Sequence, residues 1–286
     1  MRIAFRIVDV FTEVPFAGNQ LCVFPDVPPE LDAVAMQALA LEIGFSETTF
    51  VLEAAADRYR VRIFTPDEEI PFAGHPTLGT AFVLVREGRV SPSVTQTTEA
   101  GDVPVEIDAE SGSGWMRQLP PTFGPAFEDR VLVASAAGLE PSDLAAELPV
   151  QVGSVGLPSL LVPVRDEATL RRAVRNGPLC LEVHRRSGAD TIYLFAVRGD
   201  GDVMARMFDP LLGIGEDPAT GSAAGPLGAY LASHELAGMP GTLVVSQGEM
   251  VNRPSSIHVE VEGAEGVWRL RVGGSVRIVG EGTFDV

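Results

Sequence analysis

The sequence contains no lysine, and all 21 basic residues of this 286-residue chain are arginines. A lysine forms the Schiff base of pyridoxal phosphate enzymes, acts as a nucleophile in others and binds phosphate in the nucleotide-binding P-loop. These three kinds of mechanism are therefore excluded. Any catalysis must depend on carboxylates, histidine, hydroxyls, backbone groups or a metal ion.

Positive charge is scarce as a whole, because 39 acidic residues give a formal net charge of −18 without any basic run. Nucleic-acid binding requires clustered basic side chains that displace counterions, so we expect no nucleic-acid partner. The chain also lacks a run of about eighteen apolar residues and a signal-peptide pattern. We expect a soluble, cytoplasmic protein without a membrane partner.

Cysteine and histidine are also rare, at two and four residues. Cys22 and Cys180 lie in apolar surroundings and outside any Cys-x-x-Cys pair, so we expect buried, unreactive thiols. The four histidines do not show the His-x-x-x-His spacing typical of zinc enzymes, so we expect no metal site.

One pattern occurs twice, about half the chain apart. Residues 62–66 (Arg-Ile-Phe-Thr-Pro) correspond to residues 206–210 (Arg-Met-Phe-Asp-Pro), and Pro71–Thr77 corresponds to the segment around Asp217–Ala223. Each copy predicts a strand, a proline-containing turn and a helix rich in small apolar residues. The repeat indicates a duplicated protein.

The most proline-rich connection, Leu119–Pro125, marks the predicted domain boundary. We therefore predict a first domain over residues 1–124 and a second over 125–275. The C-terminal strand, 276–286, is predicted to return to the first domain.

The first half of the chain contains three candidate site residues. Glu47 begins a predicted strand just after a helix over 30–43, where it is either a solvent-exposed strand end or a carboxylate whose pKa burial raises. Asn19 is either a turn residue or a donor that lines a site. His75 stands at or beside the N-cap of a predicted apolar helix over 77–85, so it either caps or packs, or it contacts a ligand.

The second copy contains Asp217, Gly221 and Ser222. Gly221 beside a predicted N-cap serine forms a compact anion nest, and Ser222 is predicted to cap the helix whatever else it does. The helix is predicted over 223–232, with Pro226 in its first turn, where proline is tolerated. The free N–H groups and positive dipole end of each helix would bind an anion.

Five motifs occur in order along nearly the whole chain. They are Phe11-Thr12 with Gly18-Asn19, Phe45–Val51, Pro71–Thr77, Glu216–Ala223, and Gln247-Gly248 with Arg253-Pro254-Ser255. Together they resemble the PhzF family of phenazine-biosynthesis isomerases. The resemblance implies an α+β, diaminopimelate-epimerase-like fold: a duplicated, pseudo-two-fold pair of domains, each a mixed sheet or open barrel around a central apolar helix. It also implies an active site in the cleft between the domains.

The same resemblance implies roles for the matched positions. Glu47 would be the general acid/base that takes a proton from one carbon of the substrate and returns it to another. His75, Asp217 and Ser222 would hydrogen-bond the substrate and assist proton relay. The positions expected to bind substrate are Asn19, Gly74 and Gly221. The implied activity is a cofactor-independent isomerisation of a small carboxylated metabolite, such as trans-2,3-dihydro-3-hydroxyanthranilate, by a protein that is expected to form homodimers.

Two alternatives stay open. The first is an epimerase or racemase of an amino-acid-like substrate that uses Glu47 with His75 or Asp217. Epimerases of this fold use a cysteine pair. In this chain the residues before Gly74 and Gly221 are Ala73 and Thr220, so inversion by a cysteine pair is excluded. The second alternative is a non-catalytic protein that binds a small molecule.

Overall fold

The computed structural model describes residues 1–199, 201–211, 215–264 and 266–286. The chain divides into two compact units, a first of Met1–Arg117 with Gly273–Val286 and a second of Gln118–Val272. Among the described residues, no helix has the length and apolar character required to cross a membrane.

The first unit contains nine strands, counting the later part of β17, and two helices. They are β1 (Arg2–Val10), β2 (Asn19–Phe24), α1 (Ala33–Ile43), β3 (Glu47–Ala55), β4 (Arg58–Phe64), β5 (Glu69–Ile70), α2 (Gly74–Arg86), β6 (Ser93–Thr98), β7 (Gly101–Asp108), β8 (Ser113–Arg117) and the later part of β17 (Val267–Asp285).

The second unit follows in chain order. Its elements are β9 (Thr122–Ala126), α3 (Arg130–Ala136), β10 (Gln151–Ser154), β11 (Pro158–Pro163), α4 (Glu167–Arg172), α5 (Gly177–Ser187), β12 (Thr191–Val197), β13 (Val203–Phe208), β14 (Glu216–Asp217), α6 (Gly221–Ser233), β15 (Gly241–Gln247), β16 (Ser255–Ala264) and the start of β17, with short 3-10 turns at Pro141–Asp143 and Glu249–Val251.

The strand pairings of the first unit recur in the second, which confirms the predicted duplication. Strand β2 is parallel to β3 and β11 is parallel to β12, while β3–β4 and β12–β13 are antiparallel. Strands β4 and β6 are parallel, as are β13 and β15. Each unit is therefore a mixed sheet with the same order of connections.

The duplication extends to one ion pair, which is partly buried in the first unit and more deeply buried in the second. Arg62 of β4 binds Glu69 of β5 through two hydrogen bonds of 2.6 and 2.5 Å, and Arg206 of β13 binds Glu216 of β14 through two of 2.9 and 2.6 Å. Each guanidinium also lies over the ring of the phenylalanine two residues further along its strand. The paired arginine and glutamate join the two strands that precede α2 in one unit and α6 in the other.

Helices α2 and α6 are the cores of their units. Helix α2 packs against β1, β2, β3, β7 and β8, and α6 packs against β10, β11 and β16. All residues from Gly74 to Leu84 and from Gly221 to Ala232 are buried. A helix that is apolar on all sides is stable only when it is surrounded, as the sequence predicted.

Both helices begin earlier than predicted. Helix α2 begins at Gly74, so His75 is its second residue, and α6 begins at Gly221. The prediction that Ser222 is the N-cap is therefore wrong, since Thr220 is the N-cap and Ser222 is the second helical residue. Pro226 lies sixth in α6 rather than in its first turn, because packing on all sides stabilises the helix around it.

The unit boundary also differs from the predicted one. It lies between Arg117 and Gln118 instead of after residue 124, and the chain returns to the first unit at Gly273 instead of 276. The proline-rich segment includes part of β9, whose residues pair with β10 of the second unit. Proline is tolerated there because an edge position needs no ladder N–H.

Candidate active site

Glu47 lies at the start of β3 and its side chain is only 16% exposed. The preceding helix α1 ends at Gly44, whose φ of 68° closes the helix and turns the chain toward the strand. Strand β3 runs parallel to β2 with Glu47 opposite Leu21, so the carboxylate lies beside the first residues of β2. Glu47 is therefore partly buried and is not a solvent-exposed strand end.

His75 lies beside this carboxylate. Its side chain is 5% exposed, and its Nε2 atom is 3.2 Å from the carbonyl oxygen of Gln20 and 3.4 Å from Oε2 of Glu47. A carbonyl oxygen can only accept a hydrogen bond, so the contact with Gln20 assigns a proton to Nε2. The Glu47 carboxylate therefore faces the N–H edge of the imidazole.

A close approach between α2 and β2 fixes this geometry. A Cβ atom added at Gly79 would lie 2.7 Å from Cδ2 of Leu21 and 2.9 Å from Cγ2 of Val10. Only glycine allows the helix to lie this near the strand. Because His75 is on the helix and Gln20 precedes Leu21 on the strand, this packing sets the distance between imidazole and carbonyl.

A buried network supports the first turn of α2. The Thr77 hydroxyl donates to the carbonyl of Ala73 at 2.9 Å and accepts from Nε2 of Gln96 at 2.7 Å. Tyr59 donates to Oε1 of Gln96 at 2.8 Å. The N-cap residue Ala73 makes no side-chain capping bond at this helix end, where Gly74 provides a first-turn N–H group.

Asn19 belongs to the strand rather than to the turn. Gly18 takes the left-handed conformation with a φ of 67°, and Asn19 is the first residue of β2, 2% exposed. The Ser46 hydroxyl donates to Oδ1 of Asn19 at 3.3 Å. This bond joins the residue before Glu47 to the start of β2, so Asn19, Glu47 and His75 form one group in the first unit.

The second unit brings Asp217, Gly221 and Ser222 to the start of α6. Asp217 on β14 is 6% exposed, and the Thr220 hydroxyl donates to its Oδ2 atom at 2.6 Å. Ser222 is buried as the second residue of the helix, and Gly221 is the first. The arrangement parallels that of Gly74 and His75 in the first unit.

Sequence reasoning placed Gln247 in a motif but gave no role to it or to the other residues that hold Asp217 in place. Gln247 contacts both Asp217 and Thr220, and Tyr193 contacts Gln247. A signal was present, because alternation along β15 places Gln247 on the same face as Leu243 and Val245, which are buried. A glutamine on the apolar face of a strand indicates a polar network in the core.

The two groups differ in one respect. The residue of β12 that corresponds to Glu47 is Thr191, which lies opposite Ser159 in the parallel pair of β11 and β12. Its hydroxyl donates to Ser159 at 2.8 Å. The duplicated framework thus carries a strand-start carboxylate in the first unit and a hydroxyl in the second.

The remaining candidate ligands are not arranged for metal binding. Within the described ranges, no group of three or more His, Cys, Asp or Glu side chains could hold a metal ion. The thiols are buried, and burial raises the pKa of Cys22 from 9.0 to about 12. At neutral pH this thiol stays protonated and is a poor nucleophile.

Comparison with known proteins matches almost the whole chain. The family model described as "Phenazine biosynthesis-like protein" matches residues 8–282. An uncharacterized isomerase of Deinococcus radiodurans is 36% identical, with coverage of 97% of this chain and 93% of the relative. A trans-2,3-dihydro-3-hydroxyanthranilate isomerase of Pseudomonas aeruginosa is 35% identical, with coverage of 97% and 98%.

Solved structures agree with the fold. A phenazine biosynthesis protein of the PhzF family from Bacillus anthracis has a TM-score of 0.90 at 28% identity, and each chain is covered completely. A probable proline racemase from Agrobacterium radiobacter shares the fold with a TM-score of 0.69 at 14% identity, over 99% of this chain and 93% of that one.

Proposed function

Because this chain belongs to the phenazine biosynthesis-like (PhzC-PhzF) family of isomerases, we propose that it moves a proton between two carbon atoms of a small carboxylated substrate without a cofactor. Glu47 is the single acid/base group in this proposal. As a carboxylate it takes a proton from one substrate carbon, and as a carboxylic acid it returns that proton to another carbon of the same molecule. The protein is unchanged at the end of the cycle.

The observation that carries the proposal is the position of the partly buried Glu47 carboxylate beside His75, where its side chain is 16% exposed. Loss of hydration disfavours the charged form of a carboxylate in general, and a group that is partly withdrawn from water is suited to hold a proton between two transfers. The N–H edge of His75 lies 3.4 Å away and can stabilise the charged form when the proton leaves. A glutamate on the protein surface would have neither influence.

The substrate carboxylate is proposed to bind to backbone N–H groups. Helices α2 and α6 both begin at a buried glycine, Gly74 and Gly221, and their N-caps make no side-chain capping bond. Such helix ends attract an anion through free N–H groups and the helix dipole. Asp217 and Ser222 are proposed to hydrogen-bond the same substrate, and Asn19 to line its site.

The absence of a cysteine at two positions supports proton transfer along one face. Ala73 and Thr220 precede the two glycines, and the two cysteines of the chain, Cys22 and Cys180, are buried in β2 and α5. A two-thiol mechanism that inverts a stereocentre therefore has no acid/base pair here. A single carboxylate that removes and returns a proton remains.

The proposed substrate is trans-2,3-dihydro-3-hydroxyanthranilate, after the names of the relatives from Pseudomonas. The test incubates it with the protein in deuterated buffer and follows the ultraviolet spectrum and the deuterium content of the product. Glu47→Gln should abolish turnover. Glu53→Gln on the same strand is the matched control, because Glu53 is 71% exposed and should leave turnover unchanged.

The outcomes separate the alternatives. Deuterium at a stereocentre with loss of optical purity, in place of isomerisation, would show an epimerase. Retained turnover in Glu47→Gln would overturn the role of Glu47. Ligand binding without turnover or exchange, across a set of carboxylated metabolites, would show a non-catalytic binding protein.

A further inference from the structure

Three buried side chains of the second unit form one hydrogen-bonded chain that ends on Asp217. Tyr193 and Gln247 are fully buried, and Thr220 is 7% exposed. Tyr193 donates to Oε1 of Gln247 at 2.9 Å, and Nε2 of Gln247 donates to Oγ1 of Thr220 at 2.9 Å. The Thr220 hydroxyl then donates to Oδ2 of Asp217 at 2.6 Å.

The direction of each bond follows from the chemistry of the groups. Nε2 of Gln247 also lies 2.8 Å from the carbonyl oxygen of Asp217, and a carbonyl only accepts, so this atom is the amide nitrogen. The Thr220 oxygen therefore accepts from Gln247, and its own hydrogen is directed to the Asp217 carboxylate. The backbone N–H of Thr220 donates to Oε1 of Gln247 at 3.2 Å, so both ends of the amide are satisfied.

We propose that Thr220 and Gln247 are positioning residues that fix the orientation of the Asp217 carboxylate and keep it as a hydrogen-bond acceptor for the substrate. This inference rests on the proposed function, in which Asp217 binds the substrate. A carboxylate that receives a hydrogen bond is stabilised in its charged form. Asp217 is then matched to an ammonium, amino or hydroxyl group of the substrate and not to a carbonyl oxygen.

A comparison with the first unit shows that the arrangement is not a general requirement of the fold. There Tyr59, Gln96 and Thr77 form a chain of the same residue types, but the Thr77 hydroxyl donates to the backbone carbonyl of Ala73. That chain supports a helix end only. In the second unit the last hydroxyl, that of Thr220, donates instead to the side-chain carboxylate of Asp217, which is a candidate substrate-binding residue.

The donor and acceptor roles in this chain of hydrogen bonds do not change over the ordinary pH range. Burial raises the pKa of the Tyr193 hydroxyl, and the charge of Asp217 raises it further, so Tyr193 stays protonated and donates. Glu216, which precedes Asp217 on β14, forms an ion pair with Arg206. Both are left unchanged by substitutions at Thr220.

Two substitutions of one residue test the proposal. Thr220→Val removes the hydroxyl and keeps the shape, whereas Thr220→Ser keeps the hydroxyl. With 13C-labelled aspartate, and Asp217→Asn to assign the signal, we expect Thr220→Val to raise the pKa of Asp217 by about one unit, which is a tenfold change in proton affinity. Thr220→Ser should keep the wild-type value. Thr220→Ala replaces Thr220→Val if the valine variant does not fold.

The kinetic test uses the same variants with trans-2,3-dihydro-3-hydroxyanthranilate. We expect Thr220→Val to lower kcat/KM roughly tenfold and Thr220→Ser to restore it. Tyr230→Phe, which removes another buried hydroxyl of the second unit, a donor to the Pro149 carbonyl, is the control for a general loss of stability.

The two readouts fail independently. If the wild-type protein does not turn over this substrate, the proposed function is at fault, and the Asp217 titration still decides the positioning role. Equal Asp217 pKa values in Thr220→Val and Thr220→Ser would overturn the inference. Equal kinetic losses in Thr220→Val and Thr220→Ser, or a loss of the same size in Tyr230→Phe, would show that Thr220 has only a structural role. Either result would also overturn the inference.

Discussion

The Oε2 atom of Glu47 lies 3.4 Å from Nε2 of His75, and the same nitrogen lies 3.2 Å from the carbonyl oxygen of Gln20. The imidazole N–H thus faces one fixed acceptor and one acceptor that changes charge during the proposed reaction. The carbonyl of Gln20 fixes Nε2 as the ring nitrogen that carries the proton, and this N–H group can stabilise the negative charge of the Glu47 carboxylate. This relationship leads directly to a prediction for His75.

Substitution of His75 by phenylalanine keeps a ring but removes the N–H group that faces Glu47, and it should lower kcat by about a hundredfold, in the range typical of a lost acid/base partner. Steady-state kinetics with the proposed substrate measure the effect. His184→Phe is the matched control, since His184 contacts the backbone carbonyl of Ala189 in the second unit. An activity that is equal in the two variants would contradict a role for His75.

Enlarging Gly79 should destabilise the first unit. An alanine Cβ at this position would lie 2.7 Å from Leu21 and 2.9 Å from Val10, so helix α2 must move away from β2. We expect Gly79→Ala to lower the free energy of unfolding by about 1–3 kcal/mol, as measured by urea denaturation. Gly199→Ala should change it little, because among the described residues no heavy atom beyond the chain neighbours lies within 4 Å of the added Cβ.

The thiols should be protected in the folded protein. Because burial raises the pKa of Cys22 to about 12, its thiolate is scarce at pH 8, and the pKa of Cys180 is also raised by burial. We expect a thiol reagent to modify both residues only after denaturant unfolds the chain. Rapid modification under native conditions would show that these thiols are accessible.

The raised pKa of Cys22 also predicts how the free energy of unfolding changes at alkaline pH. A buried thiol with a raised pKa contributes stability fully below the unfolded value of 9.0, and this contribution falls as pH rises toward about 12. Cys22→Ala should therefore show a weaker decline of stability between these pH values than the wild-type protein.

Asp190, just before β12, should have a destabilising charge. Burial raises its pKa from the ordinary 3.8, and the nearby His184 opposes this shift only in part. A raised carboxyl pKa means that stability is greatest below the unfolded pKa and falls as the group ionises. Asp190→Asn should therefore raise the melting temperature at pH 7 and have little effect at pH 3.

The duplication and the buried helices could be predicted from the sequence, because the Arg-x-Phe and Gly-His or Gly-Ser steps are local patterns. Helices α3 and α5 were not predicted. Helix α5 has an N-cap in Asn176 and a C-cap in Gly188, but its mixed apolar and basic composition hides the helical period. Local signals therefore identify a helix most reliably when its burial is uniform.

The composition of the site was predictable, but its support was not. Glu47 and His75 could be chosen by type and resemblance. The contacts of His75 with Gln20 and of Gln247 with Thr220 join segments far apart in sequence, and no spacing rule relates them. Ser222 was predicted as the N-cap because serine is common at that position, whereas here the N-cap is Thr220, two residues earlier.

Strand β17 has a consequence for how the chain is made. The edge of β1 is covered by residues 276–285, which are synthesised after the entire second unit. On the ribosome, the second unit can therefore fold while the first still lacks its last strand. Until that strand emerges, one edge of β1 is unpaired and can pair with strands of other nascent chains. The N-terminal unit is therefore the last part of the chain to lose an aggregation-prone edge.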